Sequence, residues 1–82
     1  MTAVQVHTVV ITVNEHSVPI EGPRVSGLDI KDAAITAGVQ IQRDFLLTQE
    51  LANGQSKVIG DNDIVTVNKN SHFDAVAGDD NS

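Results

Sequence analysis

Alternating apolar and polar positions predict a first β-strand near the start of the chain. In the segment "VVITV", at residues 9–13, Val9, Ile11 and Val13 share one face and their neighbours share the other. Every residue of this segment is β-branched, which favours an extended backbone. The two valines that precede it have the opposite parity. The first residues therefore either form a loose arm or join the strand through a bulge, and we predict a flexible arm at residues 1–7 with the folded domain after it.

A turn and a second strand follow directly. The segment "NEHS" consists of turn-forming residues, and in "VPIEG", at residues 18–22, Val18 and Ile20 share one face. Pro19 lies between them and has no backbone N–H to donate to a neighbouring strand. The pattern predicts a hairpin whose second strand lies at an edge of the sheet.

A loop and then a helix are predicted within "PRVSGLDIKDAAITAG". Ser26 can cap the first turn, Asp29 lies three residues later in an acidic variant of the capping box, and Gly38 follows as the predicted C-cap. The apolar stripe at helical spacing consists of Ile30, Ala33, Ala34 and Ala37. Lys31 and Asp32 fall outside this stripe. Because alanine is small, the helix is expected to lie close to the sheet.

Three apolar segments after the helix complete the predicted secondary structure. The segment "FLLTQEL" is predicted as a third strand, with Phe45 and Leu47 on one face and Leu46 on the other. The pair "VI", at residues 58–59, is a short apolar anchor between two turns. The segment "IVTVN", at residues 64–68, alternates again and is predicted as the last strand.

The order of these elements predicts the fold class. A hairpin, one helix and a final strand that returns beside the first strand is the order of the β-grasp fold. We predict an α+β domain at residues 8–76, with a mixed sheet of four to five strands packed on one helix. Residues 77–82 end in the polar run "GDDNS" and are predicted as a flexible C-terminal tail.

Composition and charge restrict the core and the classes of partner. The 82 residues are 40% apolar and include only two aromatic residues, which predicts one thin aliphatic core. A net charge of −6 disfavours binding to nucleic acid or to anionic lipid. The chain has no cysteine, and no apolar stretch approaches the roughly 20 residues that span a bilayer. A cytoplasmic location without membrane contact is therefore expected.

Residue types that could carry catalysis or bind a metal do not form a recognisable arrangement. Ser71, His72 and Asp74 match a catalytic triad in type, but neighbours in an extended segment point to opposite faces. His7, His16 and His72 lack the spacing of zinc ligands. We expect neither an enzyme nor a metal or cofactor site.

Several motifs taken together resemble a known family. They are "VVITVN", the helix "GLDIKDAAITAG", the strand "FLLTQE", the acidic turn "GDNDIVTV" and the late segment "HFDAVAG". In this order, over roughly residues 8–78, the chain resembles the prokaryotic ubiquitin-like proteins called multiubiquitin domains. It resembles more weakly the sulfur-carrier proteins of thiamine and molybdopterin synthesis. In those proteins, too, the last strand follows an acidic turn and runs into a C-terminal glycine.

The resemblance implies that a terminal glycine carboxylate is the reactive group. In this bacterial family an activating enzyme adenylates that carboxylate with ATP, and a conjugating enzyme passes the acyl group to a protein target, often in antiviral defence. By this resemblance Gly78 is the conjugation residue, and a tail-trimming peptidase cleaves between Gly78 and Asp79. The residues before it, Ala75, Val76 and Ala77, are slim enough to lie extended in an enzyme channel. A mature end at Ser82 is the alternative.

Contacts with these enzymes are expected on the surface of the sheet. The residues predicted for partner binding are Leu46, Ile64, Thr66, Phe73 and Val76. Two other functions are consistent with the same pattern. One is a noncovalent β-grasp interaction module with an inert tail, and the other is a sulfur carrier that ends in a thiocarboxylate. The lysines Lys31, Lys57 and Lys69 are interpreted as solvating residues of an acidic protein.

Overall fold

The computed structural model describes residues 7–78, and residues 1–6 and 79–82 lie outside the described part of the chain. The described residues form seven strands and one helix. In chain order these are β1 (His7–Val13), β2 (His16–Gly22), β3 (Arg24–Ser26), α1 (Gly27–Thr36), β4 (Leu46–Glu50), β5 (Ser56–Ile59), β6 (Ile64–Thr66) and β7 (His72–Val76).

Five of the strands form one mixed sheet in the order β2-β1-β7-β4-β5. β1 and β7 are parallel, and the other neighbours in this sheet are antiparallel. The helix buries Ile30 and Ala34 completely in the core, together with residues from the sheet. This confirms the α+β class and a β-grasp sheet of five strands packed on one helix. A separate two-stranded sheet joins β3 to β6.

The predicted hairpin is confirmed. Its turn consists of Asn14 and Glu15, both with positive φ, and β2 lies at the edge of the sheet within residues 7–78. Turns of this kind match the twist of the two strands that they connect. Pro19 pairs with Val10 on this edge strand, where a missing N–H is tolerated. β1 already begins at His7, which is one residue inside the segment predicted as an arm.

The strand that lies beside β1 is β7, and the prediction that "IVTVN" is this last strand was wrong. Phe73 and Ala75 of β7 are 1% and 2% exposed, and they alternate with exposed residues. Phe73 is among the largest fully buried side chains of the protein. Burying this aromatic ring stabilises β7 inside the sheet. The segment predicted as the last strand instead forms β6 and pairs with β3.

Two further strand assignments differ from the prediction. β3 was predicted as part of a loop, and it has only three residues, too few to show a periodic pattern. β5 begins two residues before the predicted anchor, because the polar residues Ser56 and Lys57 also pair with β4. Backbone pairing does not require apolar side chains, so the hydrophobic pattern did not reveal these residues.

The helix begins as predicted, and its C-cap lies one residue before the predicted one. The Asp29 N–H donates to the Ser26 hydroxyl, and the Ser26 N–H donates to the Asp29 carboxylate, both at 3.0 Å. These reciprocal bonds satisfy two amides at the helix start. The helix ends at Thr36 with Ala37 as its C-cap, and Gly38 follows with a φ of +99°, a conformation that favours glycine.

Lys31 is a correction to the predicted helix surface. Its residue exposure is 4%, although the apolar stripe excluded it. The Lys31 ammonium donates to the carbonyl oxygens of Arg43 and Phe45 and forms an ion pair with Asp61 at 2.7 Å. A lysine can bury its aliphatic stem while its charge is satisfied at the end. Lys31 therefore connects α1 to two loops and is not the solvating surface residue that was predicted.

Candidate functional site

The end of β7 determines where the C-terminal tail leaves the fold. β7 is held on both sides, by β1 and by β4, and its last pair joins Val76 to Leu46 of β4. Ala77 and Gly78 follow outside any strand, and both are exposed. The segment expected to lie extended in a channel is therefore shorter than predicted. Ala75 and Val76 belong to the sheet, and the free segment begins at Ala77.

Asn14 fixes this exit point from the side of β1. The parallel pairing includes a bond from the Asn14 N–H to the Phe73 carbonyl oxygen, at 3.0 Å. Beyond it, the Asn14 side chain amide donates to the Ala75 carbonyl oxygen at 2.9 Å. The Ala75 N–H donates to the Asn14 side chain oxygen at 2.8 Å. The side chain thus continues the parallel ladder past the end of β1.

We expect the substitution Asn14→Gly to destabilise the domain by about 1–3 kcal/mol, because it removes two partly buried hydrogen bonds and retains a turn residue suited to positive φ. Hydrogen exchange at the Ala75 amide should become faster. Glu15→Gly is the matched control, since Glu15 has a φ of +68°. This control should not destabilise the domain, and equal losses for both variants would contradict the assigned role of the Asn14 side chain.

Gly78 occupies a position where the fold does not require glycine. A Cβ atom built on Gly78 would meet only the Asp44 carbonyl oxygen, at 3.8 Å, which is an ordinary contact. Its φ also lies outside the range that disfavours other residues. Neither packing nor backbone conformation accounts for this glycine. A substitution here therefore changes the chemistry of the tail without a steric conflict in the domain.

Three half-exposed aliphatic residues form an apolar patch on the outer face of the sheet, next to the exit of the tail. Leu46, Val58 and Val76 are 45%, 57% and 54% exposed. Leu46 pairs directly with Val76, and Val58 is a diagonal neighbour of Leu46 across the pairing of β4 with β5. We call these three residues the tail-side patch. Clustered exposed aliphatic side chains are typical of sites that contact other proteins.

The structure brings together some of the predicted partner-binding residues and separates others. Leu46 and Val76 are neighbours in the tail-side patch. Ile64 and Thr66 are exposed, but they lie on β6 in the two-stranded sheet. Phe73 is 1% exposed, so its predicted role as a surface contact must be corrected to that of a core residue.

Val58 is the patch residue that the sequence pattern did not single out. It was interpreted with Ile59 as one apolar anchor, although adjacent strand residues face opposite ways. Ile59 is only 2% exposed, whereas Val58 faces solvent. The alternation in "KVIG" was the signal that could have identified it. Asp79, the other residue of the predicted processing site, lies outside the described residues.

The structure offers no catalytic arrangement at Ser71, His72 and Asp74. Ser71 is only 6% exposed, and its hydroxyl accepts a hydrogen bond from the Asn68 N–H. His72 and Asp74 are exposed on the outer face of the sheet. Within residues 7–78, no three His, Asp or Glu side chains are grouped closely enough to bind a metal ion. In the same range, no helix has the length and apolar character needed to cross a membrane.

Comparison with protein families identifies the domain. A family model described as multiubiquitin matches residues 9–78, from within β1 to Gly78. The chain belongs to the multiubiquitin family. Searches of curated proteins and of solved structures gave no match. The multiubiquitin match covers the helix, most of the sheet and the exposed glycine after β7, and it ends at the second residue of the predicted tail.

Proposed function

We propose that this multiubiquitin domain is a ubiquitin-like protein modifier that acts as a substrate and not as a catalyst. A carboxylate oxygen of Gly78 attacks the α-phosphorus of ATP on an activating enzyme, and pyrophosphate leaves. A nucleophile then displaces AMP, and a conjugating enzyme transfers the acyl group to a protein target. The domain contributes the carboxylate and the surface that these enzymes contact.

The exposed position of Gly78 carries this proposal. β7 is paired with β4 as far as Val76, and Gly78 follows two residues later, where an added Cβ would meet no close neighbour. An acyl donor must extend from a rigid body into an enzyme, and the absence of a β-carbon leaves its carbonyl open to attack. The family match ends at the same residue.

Activation at Gly78 requires removal of the residues that follow it. Hydrolysis of the peptide bond between Gly78 and Asp79 produces the free carboxylate and releases residues 79–82. Loss of Asp79 and Asp80 changes the net charge from −6 to −4, because nine acidic residues then oppose five basic residues. A tail-trimming peptidase supplies this step in the proposed scheme. Intact mass spectrometry after co-expression with that peptidase measures the cleavage directly.

We expect Gly78→Phe to abolish ATP-dependent adducts with other proteins when the chain is co-expressed with its activating and conjugating enzymes. A bulky side chain beside the carbonyl blocks attack and obstructs a narrow channel. The free energy of unfolding should stay unchanged, since the added Cβ meets no close neighbour. The control is Ala52→Phe, which adds the same bulk at an exposed loop position and should leave adduct formation intact. Undiminished adducts from Gly78→Phe would overturn the modifier function.

The tail-side patch supports a second candidate function, a noncovalent binding module. Leu46, Val58 and Val76 form an apolar contact surface that does not need a reactive tail. The same co-expression distinguishes the candidates. Covalent adducts support the modifier. Partner binding that needs no ATP and produces no covalent adduct supports the binding module. A mass increase that corresponds to replacement of one C-terminal carboxylate oxygen by sulfur identifies a sulfur carrier instead.

A further inference from the structure

A groove between the edge strand β2 and the helix is separate from the tail and from the tail-side patch. Its volume is about 500 Å³, within the usual range of ligand-binding clefts. Pro19 and Glu21 line it from β2, and Asp32, Ala33 and Thr36 line it from α1. The small side chains on the helix leave space above the core for a larger side chain from outside.

Backbone groups of β2 face this groove. In a hairpin with a two-residue turn, the residue pair next to the turn exchanges backbone hydrogen bonds. Successive pairs along the strands then alternate between non-hydrogen-bonded and hydrogen-bonded. By this alternation, the backbone groups of Pro19 and Glu21 point away from β1. The Pro19 carbonyl and the Glu21 N–H and carbonyl can therefore pair with an added strand. Within residues 7–78 no strand occupies this edge.

The charge at the groove is negative. Glu21 and Asp32 are the charged residues that line it, and no basic side chain among residues 7–78 does so. Asp32 also forms an exposed ion pair with Arg43, at 2.6 Å, whereas Glu21 has no ion-pair partner in the described range. The unpaired carboxylate favours a ligand with a basic residue at this position.

We propose that this groove binds an extended peptide segment of another protein, in which a large aliphatic side chain rests on Ala33 and a basic side chain pairs with Glu21. The peptide adds a short strand to β2. A second copy of this chain is a poor occupant, because each copy carries a charge of −6 and because both paired edges would then lack the N–H of Pro19. The inference does not depend on activation of Gly78.

Titration of the isotopically labelled full chain with a synthetic peptide tests this site without enzymes or ATP. The probe is a capped peptide with an Ile-Val-Ile core flanked by lysines, and the control peptide carries glutamates instead. We expect chemical-shift changes at Glu21, Ala33 and Thr36, and binding at least about tenfold weaker for the control peptide.

Two charge-reversal variants complete the test. Glu21→Lys should weaken binding of the lysine peptide about tenfold, whereas Glu50→Lys changes the net charge equally at an exposed position on β4 and should have an effect below about twofold. Equal losses for both variants would show attraction by net charge alone and overturn the proposal. It would also be overturned by shift changes confined to the tail-side patch, or by no binding at millimolar peptide.

Discussion

Replacing Phe73 with alanine is expected to lower the free energy of unfolding by about 3–5 kcal/mol. Phe73 is fully buried at the centre of the sheet, and the chain has only two aromatic residues with which to fill its core. A domain of this size has a total stability on the order of 4–12 kcal/mol, so the loss takes a large part of it. Thermal denaturation should show a midpoint lower by more than about 10 °C.

Val76→Ala is the matched control for Phe73. It shortens another apolar side chain of β7, but at a position that is 54% exposed, so the expected loss is less than about 1 kcal/mol. Similar losses for both variants would contradict the placement of β7 in the sheet. The free tail would then begin before residue 72, and the proposed exit point at Ala77 would be wrong.

Gly27→Ala is the second substitution with a large expected effect. Gly27 is the first residue of α1, and a Cβ atom there would lie 2.2 Å from the Gly60 carbonyl oxygen. That carbonyl belongs to a turn that is bound to the helix, because Gly27 N–H donates to the Asp63 carbonyl and Leu28 N–H to the Asp61 carbonyl. The clash therefore cannot be relieved by a small side-chain movement.

We expect Gly27→Ala to cost at least about 2 kcal/mol of stability, measured by chemical denaturation. Without the clash, alanine would be favoured over glycine in a helix by up to about 1 kcal/mol, so the sign of the change is itself informative. The control is Gly60→Ala, on the other side of the same contact. Its Cβ would lie 3.2 Å from an Asp63 carboxylate oxygen, which can move, so a smaller loss is expected. A stabilised Gly27→Ala variant would contradict the close contact.

The elements that the sequence predicted well are those whose own residues determine them. Val9, Ile11 and Val13 alternate in a strand, and Ser26 and Asp29 make bonds within a single turn of the helix. β7 was missed as a strand because its two core residues, Phe73 and Ala75, lie in a segment of only five residues, too short to show a clear period. Its position depends on pairing with β1, about 60 residues earlier in the chain.

The candidate site could be predicted in part. Gly78 follows from the motif order, and the outward position of Leu46 follows from strand parity, whereas its pairing with Val76 depends on β7, which was not predicted. Val58 could not be placed beside Leu46 without the register of β4 with β5, which is set by tertiary structure. Burial of Lys31 depends on the carbonyl oxygens of Arg43 and Phe45, which only the folded chain brings to its amine.

The parallel arrangement of β1 and β7 also governs how the domain responds to mechanical force. The start of β1 and the end of β7 lie at opposite ends of the sheet, so a pull between His7 and Gly78 acts along both strands. The bonds from Thr12 to Ser71 and from Asn14 to Phe73 are then loaded together in shear, and they do not open one after another. A load applied through the tail is thus shared across the central ladder.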